Sequence, residues 1–209
     1  MIPKLKFQVH ELFIRVFLFP NTPSEKKLFR RNAEDFQKFF ASEGKAILQS
    51  IMELSGYKWQ RPEIPVYLIP WQSPNLVIPF TKSNLERGLP GVLQTLGMGD
   101  RLVRDTHVFI HELVHISQRH TALTDRDNPF TASGNINRRE AIADFLCLHT
   151  IRHVFGNNSI YETDFWEFLR SDRLRIKTRL EELEKALHIW DVSKQQPLQK
   201  FLMDSTAKL

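Results

Sequence analysis

The sequence contains a single cysteine, Cys147, among its 209 residues. One cysteine cannot form a disulfide within the chain, and it excludes zinc ribbons and fingers built from several cysteines. The lack of disulfides fits a reducing compartment, so we expect a cytoplasmic protein. Glycine and proline are also sparse, at 8 and 11 residues, which excludes a fibrous or low-complexity chain.

Long hydrophobic runs are absent as well. The longest apolar stretch near the start, Leu12 to Phe19, is too short to span a bilayer and is interrupted by Arg15. No apolar segment there is followed by a small-residue cleavage site, so we expect no signal peptide and no membrane association. Hydrophobic residues make up 42% of the chain and charged residues 25%, which predicts an ordinary globular protein.

Positive charge is in moderate excess, since the 29 lysines and arginines outnumber the 24 aspartates and glutamates by five. Basic clusters such as Arg30-Arg31 and Arg138-Arg139 lie beside carboxylates, which is typical of solvated helix faces. No recognised nucleic-acid-binding motif accompanies them, so we do not expect a nucleic-acid partner. The oligomeric state stays open.

Hydrophobic periodicity predicts an α+β fold that is mostly helical and contains a small sheet. Prolines beside the strand-like runs favour edge positions. In the predicted fold these edge strands are antiparallel. The segment 6–19 fits a strand or a short helix equally well. The predicted elements are helices over 25–41 and 43–54, strands over 65–70 and 75–80, a loop or loosely helical connection over 88–99, and helices over 101–120, 138–155 and 163–190.

The helix predicted over 101–120 carries the run His111-Glu112-Leu113-Val114-His115. Residues four apart share one face of a helix, so both imidazoles can reach one zinc ion at about 2.0–2.1 Å. Glu112 is displaced by about 100° from His111, which leaves its carboxylate beside the metal and suited to deprotonating a water molecule. The alternative is a pair of core histidines bonded to backbone groups and a salt-bridged Glu112.

The next predicted helix carries Glu140 and Asp144, which are also four apart. A catalytic zinc ion takes three protein ligands and keeps an open position for water, and Glu140 can supply the third ligand. Asp144 can accept a hydrogen bond from the non-ligating nitrogen of His111 or His115. The alternative is an exposed glutamate and a helix-surface aspartate. Apolar neighbours such as Ile142 and Phe145 indicate that this helix is packed.

The segments HELVH and REAIADF together resemble the gluzincin metallopeptidases, the clan typified by thermolysin. Members carry HExxH on one helix and a Glu-x-x-x-Asp segment on the next, and the resemblance covers about residues 105–150. It implies a zincin-like fold in which an edge strand lies beside a buried HExxH helix. It also implies site roles: zinc ligands His111, His115 and Glu140, general base Glu112, and Asp144 as the hydrogen-bond partner of His111.

The Glu140-Ala141 pair and Phe145 are also similar to the cytosolic ImmA/IrrE-like proteases, which share this layout of the active site. The sequence does not choose between these relatives. Larger gluzincins have a second half with a residue that stabilises the oxyanion, and no segment here matches it. Tyr161 and His188 are candidates by residue type only.

The remaining chemically active side chains have simpler interpretations. His107 is expected to be a packing or helix-surface residue, and Cys147 a small buried one. Helical spacing places His149 and His153 on the side of their helix opposite Glu140, so we expect structural or surface roles for both.

The predicted function is zinc-dependent hydrolysis of peptide bonds in a peptide or protein substrate. We expect one metallopeptidase domain over 1–209, with N-terminal helices and strands over 1–100, metal-binding helices over 101–156 and a C-terminal helical segment over 157–209. One alternative is a non-proteolytic zinc-binding module, regulatory or associated with nucleic acid through a basic surface. Another is metal-dependent hydrolysis of a non-peptide amide.

Overall fold

A computed structural model of the chain describes residues 1–9, 22–56, 58–59, 61–70, 92–96, 102–119 and 136–171, and within these the side chains of 92–96, 118–119, 136–142 and 171 are outside the description. The described residues form an α+β arrangement that is mostly helical, as expected. Its elements are β1 (Lys4–Val9), α1 (Pro23–Ser55), β2 (Glu63–Pro70), β3 (Val92–Leu96), α2 (Leu102–Arg119), α3 (Ile136–Phe155) and α4 (Ile160–Ser171).

The chain divides into two compact units. The sheet unit comprises residues 2–45 and 61–109, and the histidine unit comprises Met1, 46–60 and 110–209. No helix among the described ranges is both long and apolar enough to cross a membrane. The expectation of one domain over 1–209 stays a prediction.

The three described strands form one parallel sheet in which β2 lies between β1 and β3. The register runs from Lys4 opposite Glu63 in the first pair, and from Val66 opposite Val92 in the second. The expectation of antiparallel edge strands is therefore wrong for these strands. Each connection is long enough for a parallel crossover, which needs a dozen or more residues.

The strand predicted over 65–70 is confirmed as β2, but its edge position is wrong among the described strands. Two prolines are tolerated in this central strand because of where they lie. Pro65 comes one residue before the pairing with β3 begins at Val66, and Pro70 is the last residue of the strand. Proline lacks an N–H group to donate to a neighbouring strand, and at these two positions it interrupts only the ends of the pairing with β3.

The connection predicted over 88–99 contains strand β3, so that prediction is wrong for Val92–Leu96. Its five residues, Val-Leu-Gln-Thr-Leu, are rich in the β-branched and apolar types that favour strands. The segment 6–19 begins as strand, since β1 continues to Val9. The strand predicted over 75–80 lies outside the described residues, and so do residues 10–19.

Helix α1 is continuous over 33 residues, so the two helices predicted over 25–41 and 43–54 are one. Gly44 lies buried in its middle, and a Cβ atom added there would be 3.1 Å from Cδ1 of Leu5 in β1. The glycine gives Leu5 room to pack and does not end the helix. A capping box starts α1: Thr22 Oγ1 accepts from Glu25 N, and Glu25 Oε2 accepts from Thr22 N.

An aromatic cluster forms the core of the sheet unit. Phe36 and Phe40 of α1 meet Phe109 of α2, with ring centroids 5.3 and 4.7 Å from the Phe109 ring. Phe7 of β1 completes the cluster at 6.0 Å from Phe36. Phe36, Phe40 and Phe109 are buried, so this cluster ties α1 and α2 to the strand beside them.

The helices predicted over 101–120 and 138–155 are confirmed as α2 and α3, with boundaries shifted by one or two residues. The helix predicted over 163–190 begins earlier, at Ile160, and its part after residue 171 lies outside the described residues.

Candidate metal centre

Two histidines on α2 face each other in the histidine unit. The Nε2 atoms of His111 and His115 are 3.0 Å apart, and the ring planes are nearly perpendicular, at 86°. Their spacing of four residues brings them onto one face of the helix, as the sequence predicts. His115 is 8% exposed, and apolar residues such as Leu113 and Val114 are fully buried beside it on α2.

Asp144 of α3 holds the first of these rings. Its Oδ1 lies 2.9 Å from Nδ1 of His111, and its side chain is 3% exposed. Nδ1 of His111 donates this hydrogen bond, because an ionised carboxylate can only accept. The structure thus brings together three of the five predicted site residues: His111, His115 and Asp144.

This contact fixes the tautomer of His111. A neutral imidazole that carries its proton on Nδ1 has a lone pair on Nε2, and this is the nitrogen that approaches His115. Without a metal, Nε2 of His115 must donate to that lone pair, since one of the two atoms has to carry the proton. With a metal, the same Nε2 of His111 is ready to ligate.

The donor set fits a zinc ion in type and in spacing. Two nitrogens bound to a tetrahedral zinc at about 2.0–2.1 Å lie about 3.3–3.4 Å apart. The two Nε2 atoms are 3.0 Å apart, so they need to move apart by only a few tenths of an ångström to reach that distance. Imidazoles whose second nitrogen donates to a carboxylate are the usual arrangement at zinc sites.

A third ligand is not supplied by the side chains that the structure describes. Among them, no group of three or more histidine, cysteine, aspartate or glutamate side chains comes together to hold a metal ion. The side chain of Glu140, the predicted third ligand, lies outside that part of the chain. The backbone at 140 is helical and is one turn before Asp144, so the two positions share a face of α3.

Glu112, the predicted general base, is half-buried on α2. It follows His111 directly and is therefore displaced by about 100° around the helix axis from that ligand. Its role in proton transfer stays a prediction, as does the ligand role of Glu140.

The other histidines engage in contacts of their own. Nδ1 of His153 lies 3.0 Å from Oγ of Ser50, which links α3 to the last third of α1 within the histidine unit. His149 packs against Phe145, with ring centroids 4.5 Å apart. These contacts agree with the structural roles expected for both. His107 is buried, as a packing residue would be, and Cys147 is fully buried.

The candidates for an oxyanion-stabilising residue gain no support from the described residues. Tyr161 stacks on Phe155 with ring centroids 4.3 Å apart and an interplanar angle of 28°. His188 lies outside the described residues.

A partly buried ion pair, which was not predicted from the sequence, joins α3 to α4. Arg152 Nη2 donates to Oε1 of Glu162 at 2.6 Å, and the backbone N–H of Asn158 donates to Oε2 at 2.8 Å. Burial raises the pKa of Glu162, but the hydrogen bonds and the charge of Arg152 outweigh burial and hold that pKa below its ordinary value. Asn158 adopts a left-handed backbone, with φ of 60°, in the turn between the helices. In the sequence, the Asn157-Asn158 pair indicates this turn, because asparagine tolerates a left-handed backbone.

Comparisons of the chain with models of known protein families, with curated proteins and with solved structures find no match.

Proposed function

We propose that the chain is a zinc-dependent metallopeptidase that hydrolyses peptide bonds in a peptide or protein substrate. The observation that carries the proposal is the convergence of the two Nε2 atoms, 3.0 Å apart, with Asp144 bonded to the far side of His111. This arrangement presents two imidazole nitrogens to one point and stabilises the tautomer that ligation requires.

Each predicted residue has a distinct part in this proposal. His111 and His115 would hold the metal together with Glu140. Zinc, when bound, supplies a Lewis acid that polarises the scissile carbonyl and lowers the pKa of a bound water to about 7. Glu112 accepts a proton from the attacking water and passes it to the leaving amine. Asp144 keeps the ring of His111 in the orientation and tautomer needed for ligation.

The same three side chains, His111, His115 and Asp144, could also form a hydrogen-bonded part of the core that binds no metal. Burying two imidazoles and a carboxylate is costly unless each finds a partner, and a chain of hydrogen bonds from His115 to His111 to Asp144 provides partners. The metal-binding and metal-free interpretations therefore share one geometry. Metal stoichiometry separates them.

The first experiment measures zinc per chain after supply of zinc and removal of the excess. We expect one zinc in the wild type and a large loss in His115→Ala and in Glu140→Ala. The matched control is His153→Ala, which removes a histidine of the same unit that bonds Ser50 and should keep its zinc. A wild type that binds no zinc contradicts the proposal, and full zinc in Glu140→Ala shows that another residue is the third ligand.

The second experiment tests catalysis with a library of quenched fluorescent peptides. The zinc-loaded wild type should cleave members of the library, and Glu112→Gln should retain zinc but lose about 10²–10⁴-fold in rate, the usual contribution of general acid–base catalysis. Zinc binding without cleavage of any peptide would favour the non-proteolytic zinc module or an enzyme for a non-peptide amide. Equal cleavage by both proteins would point to a contaminating protease.

A further inference from the structure

The excess of positive charge is carried by the residues of the sheet unit. The sheet unit contains 14 lysines and arginines against nine aspartates and glutamates, whereas the histidine unit contains 15 of each. The net charge of +5 therefore lies in the sheet unit, although the basic residues are scattered along the sequence. A field that is concentrated on one part of a protein attracts polyanions more strongly than the same charge spread evenly.

Four of these cations form a straight row on α1, which we call the α1 stripe: Lys27, Arg31, Lys38 and Lys45. All four are exposed and all belong to the sheet unit. At 100° per residue they fall within about 40° of one another, and they extend over about 27 Å of the helix. A row of this kind presents its charges to one side, where a single extended anion can contact all of them.

Helix stability does not account for the stripe. The helix dipole favours cations only in the last turn, whereas Lys27 and Arg31 lie in the second and third turns of α1. Arg31 has one intrahelical partner, Asp35, with 3.8 Å between Nε and Oδ2 and both side chains well exposed. Such an exposed pair contributes little. Glu34 is exposed on the same face, between Arg31 and Lys38, so the attraction is moderate and should depend strongly on salt.

The chemistry of the face favours nucleic acid over a membrane. A helix that lies on a membrane inserts large apolar side chains between the lipids. Among the described side chains the exposed large hydrophobic residues are Met1 and Ile160, and neither belongs to α1. Ala41 and Ser42, which are exposed between the cations, are small and leave phosphate groups free to approach.

We propose that the α1 stripe binds the sugar–phosphate backbone of a nucleic acid, without reading its base sequence. This proposal is independent of the metal centre, because the stripe and the candidate zinc ligands belong to different units. Contacts to phosphates supply most of the affinity of non-specific binding and make that affinity fall steeply as salt rises.

The test is fluorescence anisotropy of the full chain with a labelled DNA duplex of about 20 base pairs and with a labelled single-stranded RNA, over about 50–200 mM salt. Four phosphate contacts predict a slope of about −3.6 in log affinity against log salt for the duplex, which is a loss of about 10²-fold over this range. Lys38→Gln/Lys45→Gln should reduce that slope by about 2 and weaken binding at low salt about 10-fold or more.

The matched control is Lys58→Gln/Arg170→Gln, which lowers the net charge equally by removing two exposed cations of the histidine unit. It should change the affinity by less than about 2-fold. Three results would overturn the proposal: no binding at low salt, equal losses in the two double variants, or binding to anionic phosphatidylserine vesicles without binding to either nucleic acid. Binding that requires one base sequence would overturn the assignment to the backbone.

Discussion

Asp144 Oδ1 and His111 Nδ1 lie 2.9 Å apart although 33 positions separate the two residues in the sequence. The contact joins two helices through their functional side chains, and it determines which nitrogen of His111 carries the proton. Because the carboxylate is buried, the interaction is little screened by solvent. The ring of His111 is thereby held in a single orientation before any ligand arrives.

Substituting Asp144 should weaken zinc binding without abolishing it. In Asp144→Asn the neutral amide accepts a weaker hydrogen bond from His111, so we expect zinc affinity to fall about 10–100-fold, as for other residues that support a metal ligand. The measurement is competition against a chromophoric chelator. Glu167→Gln is the control, since it neutralises an exposed carboxylate of the same unit and should keep the wild-type affinity. Equal affinities in all three proteins would show that Asp144 does not support the ligand.

The ion pair between Glu162 and Arg152 should make stability depend on pH. The pKa of folded Glu162 lies below its ordinary value, so its contribution is complete above the unfolded pKa of about 4.3 and is lost as pH falls through the folded pKa. Glu162→Gln should cost about 2 kcal/mol near pH 7 because Arg152 and the Asn158 N–H lose a charged acceptor. The difference from wild type should shrink steadily below about pH 4.

Urea unfolding of the two proteins between neutral and acidic pH checks this prediction. Glu167→Gln, an exposed carboxylate on the same helix, serves as the control and should differ little from wild type at any pH. If the cost of Glu162→Gln were the same at every pH, the charge of Glu162 would not be its source.

In Gly44→Ala, two opposing effects on the free energy of unfolding should nearly cancel: higher helix propensity and a closer contact with Leu5. Alanine in the middle of a helix is favoured over glycine by about 1 kcal/mol, but its Cβ would press on Cδ1 of Leu5 at 3.1 Å. We expect Gly44→Ala alone to change the free energy of unfolding by less than about 0.5 kcal/mol. In the background Leu5→Ala the same substitution should stabilise by about 1 kcal/mol, since the neighbour has been removed.

Chemical denaturation of the four proteins in this cycle gives the coupling between positions 5 and 44 directly. Ala41→Gly, at an exposed position of the same helix, reports the propensity term alone and should cost about 1 kcal/mol. Additive effects of Gly44→Ala and Leu5→Ala would mean that the close approach does not constrain this helix.

The sequence predicted best what depends on helical periodicity. The spacing of His111 and His115 places them on one face of α2 whatever the rest of the chain does. The pairing of Asp144 with one of the two histidines also followed from a chemical requirement, since a buried imidazole needs a partner for its second nitrogen, and the choice of His111 came from the resemblance of the two segments to a known family. The boundaries of α2 and α3 were close because both helices are strongly apolar on the packed side.

The features that were missed depend on contacts between distant segments. The break predicted between residues 41 and 43 was wrong, and the local pattern could not show that Gly44 packs against Leu5, which is 39 positions away. Parallel pairing of the strands could not be inferred from short apolar runs, whose patterns do not record the direction of a neighbour. The Arg152–Glu162 pair spans only ten positions, but it was missed because the two side chains meet through the turn at Asn158, whose left-handed backbone brings α4 back to α3.

The parallel pairing of β1 with β2 has a consequence for synthesis on the ribosome. Lys4 pairs opposite Glu63, which is 59 positions later. At a translation rate of about 5–20 residues per second, β1 is therefore made about 3–12 s before its partner strand β2. Helix α1 lies between them and can form within microseconds of its emergence. Lys4 and Lys6 are exposed on β1, and their charges oppose pairing of the nascent strand with other chains during that interval. In the nascent protein, β1 is therefore an unpaired strand until β2 has been made, and Lys4 and Lys6 reduce its tendency to aggregate during this time.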